Sequence, residues 1–217
     1  MVQKPRGRRI PSPSLFYEEC LWTAGVLFVA GLDEAGRGAW AGPVYAAAVM
    51  LPADPTIQQR LQGVRDSKQM TPCQRSHWAD QIKYHALAWA VSRASHKEID
   101  ALGILPATRL AMQRALEKLD PPPQHLLIDY VMLPACYLPQ TSLVKGDQLA
   151  MSIAAASVLA KTERDRFMVS MDRKYNGYWF ARHKGYGTSQ HRHALSERGM
   201  TAIHRRCFSP MKMMLSR

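Results

Sequence analysis

"GLDEAGRGAWAGPV", residues 31–44, sets two adjacent acids, Asp33 and Glu34, before an arginine, Arg37, that stands between Gly36 and Gly38. The run that precedes it, Val26-Leu27-Phe28-Val29-Ala30, is apolar throughout and predicts a buried strand that delivers the acids at its end. The pattern returns twice. His125-Leu-Leu-Ile-Asp129 is a short apolar run closed by an acid, and Ser142-Leu-Val-Lys-Gly146-Asp147 is another. Strands ending in Asp33-Glu34, Asp129 and Asp147 would gather these carboxylates at one edge of one sheet, where α/β folds place their sites.

Two unit charges about 4 Å apart repel by roughly 4 kcal/mol at an effective dielectric of 20, so such a cluster is unfavourable unless protonated or filled by cations. Hard oxygen donors select Mg²⁺ or Mn²⁺ over zinc. Taken singly, each acid reads more readily as a turn former or a cap. Taken together, on a basic chain, they point to two-metal phosphodiester hydrolysis. One difficulty is geometric: on a regular strand Asp33 and Glu34 face opposite sides, and the glycines at 36 and 38 suggest that the chain has already turned there.

The 217 residues hold 29 Lys and Arg against 17 Asp and Glu, a formal charge of +12 that suits a polyanionic partner, nucleic acid ahead of a membrane surface. A content of 47% hydrophobic residues argues against general disorder. Cys20, Cys73, Cys136 and Cys207 lie far apart, without a C-x-x-C pair or a His at zinc spacing, and read as reduced thiols rather than a disulfide framework or zinc site. Lys4, Arg6, Arg8 and Arg9 imitate the start of a secretory signal, but Glu18 and Glu19 interrupt it, and cleavage near Ala30 would discard the first core strand. No apolar stretch approaches the eighteen or so residues that span a bilayer. The expectation is a cytoplasmic protein without a membrane span, with residues 1–14 a basic flexible arm.

Further along, Val44–Leu51 and His85–Ser92 predict two strands that make an antiparallel meander with the first. Between them Thr71 and Pro72 open a helix as N-cap and first residue, carrying Trp78, Ile82 and Tyr84. A helix over Pro106–Leu119 stops at Asp120-Pro-Pro-Pro. The longest helix is expected over 149–173, its first half small and apolar on all sides, as in a helix packed closely on a sheet. Past Arg173 the chain turns rich in Tyr, Gly, His, Arg and Lys, which divides it into a domain over 15–173 and a helical extension over 174–217.

D-E-A-G-R-G at 33–38, D-S-K at 66–68, L-I-D at 127–129, K-G-D at 145–147 with S-I-A-A-A-S-V-L-A-K up to Lys161, and H-K-G-Y-G-T at 183–188 together resemble bacterial ribonuclease HII. Order and spacing match from about residue 26 to about 212. The resemblance implies an α/β, ribonuclease H-like fold, a mixed central sheet flanked by helices with a C-terminal helical extension. It also implies an endonuclease dependent on Mn²⁺ or Mg²⁺, with two divalent ions in the reactive complex. Such an enzyme nicks DNA 5′ of an embedded ribonucleotide, cleaves the RNA of RNA/DNA hybrids, leaves 3′-hydroxyl and 5′-phosphate ends, and serves ribonucleotide excision repair.

Carried over by position, Asp33, Glu34, Asp129 and Asp147 become catalytic metal ligands. Gly36, Arg37 and Gly38 become the backbone contact to the ribose 2′-hydroxyl and its phosphate. Tyr186 packs on the next sugar, on the 3′ side, and rejects a second 2′-hydroxyl there. Ser67, Lys68 and Lys184 become contacts to the DNA backbone, with Thr188 a further candidate. Lys145 either approaches the scissile phosphate or neutralises the acids. The residue types suit these roles: glycine lets a backbone approach a ligand, arginine grips phosphate with a planar fork, and the 2′-hydroxyl is what distinguishes RNA from DNA. His191, His193, His204, Arg205 and Arg206 are expected to form a solvated basic surface.

The chain departs from the family pattern at Tyr130, where Gly often follows the L-I-D aspartate, and at Ser152-Ile153-Ala154, where Glu-Ile-Ser is common. The first bears on packing near Asp129, the second on any supporting acid at position 152. Two rivals stand beside this reading. A nuclease confined to hybrids is opposed by Gly-Arg-Gly and Tyr186; a DNA-binding protein using charge alone is opposed by acids that would weaken phosphate binding. The expected partners are DNA containing ribonucleotides and RNA/DNA hybrids, and the expected state is a monomer. Met211–Met214 reads as packing material, and no sliding-clamp motif is visible.

Overall fold

The computed structural model describes residues 12–215. Residues 1–11, most of the expected basic arm, lie outside them; Ser14 already belongs to the fold, its amide donating to the Leu149 carbonyl at 3.1 Å and its carbonyl accepting from Met151 at 3.0 Å. The described chain runs α1 (Phe16–Thr23), β1 (Val29–Ala35), β2 (Val44–Met50), α2 (Ile57–Arg60), α3 (Pro72–His85), β3 (Ala88–Ala94), α4 (His96–Leu102) and α5 (Ile104–Leu116). It continues through β4 (His125–Asp129), β5 (Gln140–Leu143), α6 (Met151–Lys174), α7 (Phe180–His183), α8 (Ser189–Arg198) and α9 (Met211–Leu215).

β1, β2 and β3 form the expected antiparallel meander, and β4 and β5 add in parallel on the other side of β1, giving the mixed order β3-β2-β1-β4-β5. Three strand boundaries differ from the sequence expectation. β1 starts at Val29 and runs through both acids, because Ala30 to Ala35 pair without a break with Met50 to Tyr45. β3 starts at Ala88, since His85 still closes α3. β5 stops at Leu143, and a 3₁₀ turn over Gly146–Gln148 delivers Asp147 in place of a strand end.

The helices follow their caps. At α3 the Thr71 hydroxyl accepts from the Gln74 amide at 3.3 Å while the Gln74 side chain accepts from the Thr71 amide at 3.0 Å, with Pro72 in the first turn. α4 was not expected, although Ser95 and Glu98 form the same reciprocal box at 3.2 and 2.7 Å. Its seven residues are too short to show a periodicity. Gly103, at φ +84°, turns the chain into α5, which covers 104–116 rather than 106–119.

α5 covers one face of the sheet, packing Ala107, Ala111, Met112 and Ala115 on Leu32, Ala46, Ala48 and Met50. α6 covers the other, setting Ala154, Ala155, Val158 and Leu159 on Ala35, Ala47 and Val49. It lies so close that a Cβ on Gly31 of β1 would stand 2.2 Å from the Ser152 carbonyl carbon. That contact explains why the first half of α6 is small on every side. Behind α6, Tyr178, Phe180, Ala194 and Ile203 form a separate small core with Met168 and Ala41, so the C-terminal helices are seated on the sheet domain. Among the described residues no helix is long and apolar enough to cross a membrane.

Candidate active site

Pairing between β1 and β4 ends at Leu32–Ile128, while β1 continues beside β2 as far as Ala35. A crevice opens where the two strands part. It is a cavity of about 220 Å³ bordered by Asp33, Glu34, Asp129, the Gly36–Arg37–Gly38 turn, Ser67, Lys68 and Tyr186, together with Ser157 and Lys161. Asp33 and Glu34 do alternate across β1, yet both border the same space because they lie past the last β1–β4 pair, at the open end of the sheet. Ser157 and Lys161 escaped the sequence reading as site residues, although they stand four residues apart on α6 and so share one of its faces.

Burial, then repulsion from Glu34 and Asp129, holds the Asp33 carboxyl well above the usual carboxylate range; the Ser157 hydroxyl and the Glu34 amide, 2.6 Å from Oδ1, offset part of this. Burial also raises Glu34, against the pull of Arg37, whose Nη1 lies 3.2 Å from Oε1. The other oxygen, Glu34 Oε2, is buried with no hydrogen-bond partner. Asp129 Oδ1 accepts from the Gly146 amide at 2.8 Å, which ties the end of β4 to the turn bearing Asp147. Asp147 does not line the cavity. It stands beside it, its carboxyl pushed up to about 6 by burial and by Asp66, with Lys68 Nζ at 3.8 Å. Asp66 itself caps the turn over Ser67–Gln69, accepting from the Lys68 amide at 2.9 Å.

Among the described residues no three His, Cys, Asp or Glu side chains stand close enough to hold a metal ion by themselves. The donor set nevertheless fits a hard divalent cation. Its atoms are carboxylate oxygens, Glu34 Oε2 lacks a partner, and burial, with repulsion from neighbouring carboxylates, raises Asp33 and Asp147. Mg²⁺ characteristically takes one or two carboxylates and completes its shell with waters and substrate phosphate, so no preformed cage is required.

The turn after β1 rests on two arginines. Gly36 has φ +96°, and a Cβ there would stand 1.9 Å from Arg164 Nε, so no larger residue fits. Arg205 donates to the Gly36, Arg37 and Gly42 carbonyls at 2.7, 2.8 and 2.9 Å. The Tyr186 ring is half-buried, with Arg164 Cζ at 5.3 Å and Lys161 Nζ at 5.7 Å from its centroid.

Several expected positions lie elsewhere. His191, His204 and Arg205 are buried rather than on a solvated surface, because backbone carbonyls and one another's ring nitrogens satisfy them; His193 and Arg206 are exposed as expected. Ser67 is buried, its hydroxyl 2.9 Å from that of Ser157. Lys184 does not reach the crevice; its ammonium donates to the Ala181 carbonyl and it borders a separate groove of about 310 Å³ with Arg75 and Arg166. Thr188 caps α8, accepting from the His191 amide at 3.2 Å. Lys145 is exposed in the left-handed region, at φ +59°. Tyr130, the departure beside Asp129, also has a left-handed backbone, φ +61°, which glycine adopts without strain; its ring is exposed.

This fold, with acids bordering the crevice where its central strands part, is that of a nuclease of the ribonuclease H class. A family model described as Ribonuclease HII matches residues 30–211. Ribonuclease HII of Synechococcus sp. (strain JA-3-3Ab) is 51% identical over 206 residues, covering 94% of this chain and 91% of that protein. The crystal structure of ribonuclease H2 from Pyrococcus horikoshii OT3 superposes with a TM-score of 0.73 at 26% identity, over 87% of this chain and 97% of that one. Bst-RNase HIII, in a crystal structure of its complex with Mn²⁺, shares the fold with a TM-score of 0.65 at 18% identity, over 88% of this chain and 70% of that one. The chain belongs to the ribonuclease HII family, and it is an endonuclease of the ribonuclease H type that acts on RNA/DNA hybrids.

Proposed function

We propose that, besides cleaving hybrids, this enzyme nicks duplex DNA 5′ of a single embedded ribonucleotide, using two divalent ions, Mg²⁺ or Mn²⁺, held by Asp33, Glu34, Asp129 and Asp147. One observation carries the reading: Asp33, Glu34 and Asp129 share a crevice with the Gly36–Arg37–Gly38 turn and Tyr186, and Asp147 is tied to its rim through the Gly146–Asp129 hydrogen bond. Acids and recognition groups on one cavity wall let a single bound strand meet both.

Bound at these acids, the ions supply the acidity that makes water a nucleophile and neutralise the leaving oxygen. The chain's own residues select the strand. Open space surrounds the position a Gly38 Cβ would take, so a sugar–phosphate backbone can approach that peptide and receive its amide. Tyr186, backed by Lys161 and Arg164, offers a flat apolar wall to the next sugar, which favours a deoxyribose there over a second 2′-hydroxyl without barring the hybrid. Lys68, exposed on the rim, exchanges Asp147 for a phosphate oxygen. The exposed cations Lys174, Arg182, Arg192 and Arg206 extend the basic surface along the duplex. Bst-RNase HIII takes Mn²⁺ in its crystal, and the carboxylates bordering the crevice here are hard donors of the kind Mn²⁺ accepts. Ends bearing 3′-hydroxyl and 5′-phosphate suit excision repair by a monomeric cytoplasmic enzyme.

The test uses three labelled duplexes, all-DNA, DNA with one ribonucleotide, and an RNA/DNA hybrid, incubated with Mg²⁺ or Mn²⁺ beside an Asp147→Asn variant. A single nick 5′ of the lone ribonucleotide, absent in the variant, supports the proposal. Cleavage of the hybrid alone discards the junction roles of the turn and Tyr186; full activity in the variant discards the assignment of Asp147.

A further inference from the structure

Arg164 and Arg205 are fully buried, and neither makes an ion pair among the described residues. Burying a guanidinium is unfavourable unless its donors are used and its charge is answered. Arg205 uses its whole fork on the turn after β1, donating to the carbonyls of Gly36, Arg37 and Gly42. Its own backbone is fixed to the same segment: the Arg205 amide donates to the Trp40 carbonyl at 2.9 Å, and the Gly42 amide donates to Ile203 at 2.9 Å.

A trans peptide sets its N–H opposite its C=O. Drawing the Gly36 and Arg37 carbonyls inward to Arg205 therefore turns the Arg37 and Gly38 amides outward, toward the crevice that these residues line. Neither amide donates to a backbone carbonyl among the described residues. Arg164 lies directly under Gly36 and touches the Tyr186 ring, but Nη1 of Arg164 is buried without a partner. The two guanidiniums thus form a platform that no carboxylate pairs at contact distance among the described residues, Asp165 and Asp100 acting on them only from farther off.

We propose that Arg205 is a positioning residue for substrate recognition: it fixes the Gly36–Arg37–Gly38 turn with its amides facing the ribonucleotide-bearing strand, over a buried positive charge that the strand's phosphate answers. The inference rests on the reading of that turn given under the proposed function. It assigns the C-terminal region a second task, reaching the recognition turn from beneath the surface.

The experiment compares wild type, Arg205→Lys, which keeps the charge but loses the fork, and Arg205→Met, which fills the space without a buried charge. KM and kcat are measured on the one-ribonucleotide duplex and on the hybrid at a temperature where circular dichroism shows each variant folded. The expected result is a KM about tenfold higher on the one-ribonucleotide duplex in both variants, a smaller change on the hybrid, and a preference ratio lowered at least fivefold. A purely structural residue would lower both activities together, so a folded variant whose ratio stays within twofold of wild type overturns the inference while leaving the reading of the turn intact. A wild type that does not cleave the one-ribonucleotide duplex overturns both. Should neither variant fold, hydrogen exchange of wild type decides. Protection of both 36–42 and 203–207 on binding that duplex with Ca²⁺ supports the coupling, and protection of 36–42 alone refutes it.

Discussion

Glu18 of α1 caps α6 from 134 residues away: its Oε1 accepts from the Ser152 amide at 2.7 Å and from the Ser152 hydroxyl at 2.6 Å. α6 has no capping side chain at its own start, where Ala150 stands. Position 152, at which the family resemblance directs attention to an acid, holds a serine whose carboxylate partner comes from another helix.

Removing that partner strands a buried amide and hydroxyl, so Glu18→Ala is expected to lower stability by about 2–3 kcal/mol. Glu18→Gln keeps an acceptor and separates capping from charge. Burial raises the Glu18 carboxyl above its ordinary range, so the native state holds the proton to higher pH than the unfolded chain does. By linkage, its contribution falls as pH rises past the usual glutamate range. Urea unfolding from pH 4.5 to 8 should show Gln gaining on Glu with rising pH; the opposite trend would contradict the buried-carboxylate account.

The acids of the crevice set activity against stability. Asp147 is raised to about 6 by burial and by Asp66, so the metal-free protein loses stability as pH rises from the usual aspartate range to about 6. Asp147→Asn removes one of the repelling charges. It should raise the apo Tm at pH 7.5 by about 2–4 °C, the shift for roughly 1 kcal/mol in a domain this size, while lowering cleavage at least a hundredfold. Added Mg²⁺ or Mn²⁺ should raise the wild-type Tm and raise that of the variant less. A variant melting below wild type without metal would count against the charge cluster.

Gly36→Ala tests the seat of the recognition turn. At φ +96° an L-residue is strained, and the new Cβ would meet Arg164 Nε at 1.9 Å. Arg164 is held by the Pro43 and Ala41 carbonyls at 3.1 and 3.2 Å and cannot withdraw without breaking them. The expected effect is a loss of about 2–4 kcal/mol of stability and a larger loss of cleavage on the one-ribonucleotide duplex than on the hybrid. Gly38→Ala, with open space around it, should keep the stability of wild type, as a thermal melt would show.

What the sequence made legible was local. The apolar run 125–129 ends at the same Asp129 as β4, and Thr71-Pro72 opens α3, because a turn or a cap beside each element marks its limit. The sequence pattern puts Asp147 on a strand end, yet it sits on a 3₁₀ turn, since the three residues between Leu143 and Asp147 look alike whether extended or turned. The buried polar groups were the least legible. Arg205, His191 and His204 read as surface by residue type, and only carbonyls contributed from distant segments make their burial tolerable. Glu18 is the same case: the charge that argued against a signal sequence is an interior cap.

Those histidines give the last prediction. The Thr201 amide donates to His204 Nδ1 at 2.8 Å, which leaves the proton on Nε2; that nitrogen lies 3.0 Å from His191 Nε2, and His191 Nδ1 in turn lies 3.0 Å from the Tyr186 carbonyl. The consistent assignment is a neutral chain in which His204 donates to His191 and His191 donates to Tyr186. Burial pushes both rings down to about 4. The unfolded chain therefore binds more protons below the ordinary histidine range, so the pair's contribution is full above about pH 6.5 and is lost as pH falls toward 4. Asp147 and Glu18 act in the opposite sense over part of this window, so the useful quantity is the difference between wild type and His204→Gln. The variant should be less stable by about 1–3 kcal/mol at pH 7, where the hydrogen-bonded chain is broken, and the gap should narrow on acidification. It should also discriminate less well for a single ribonucleotide, because the carbonyl that anchors Tyr186 loses a donor fixed in place by His204. Melting both proteins between pH 4 and 7.5 decides the matter: a gap independent of pH would mean that the two rings are not held neutral in the fold.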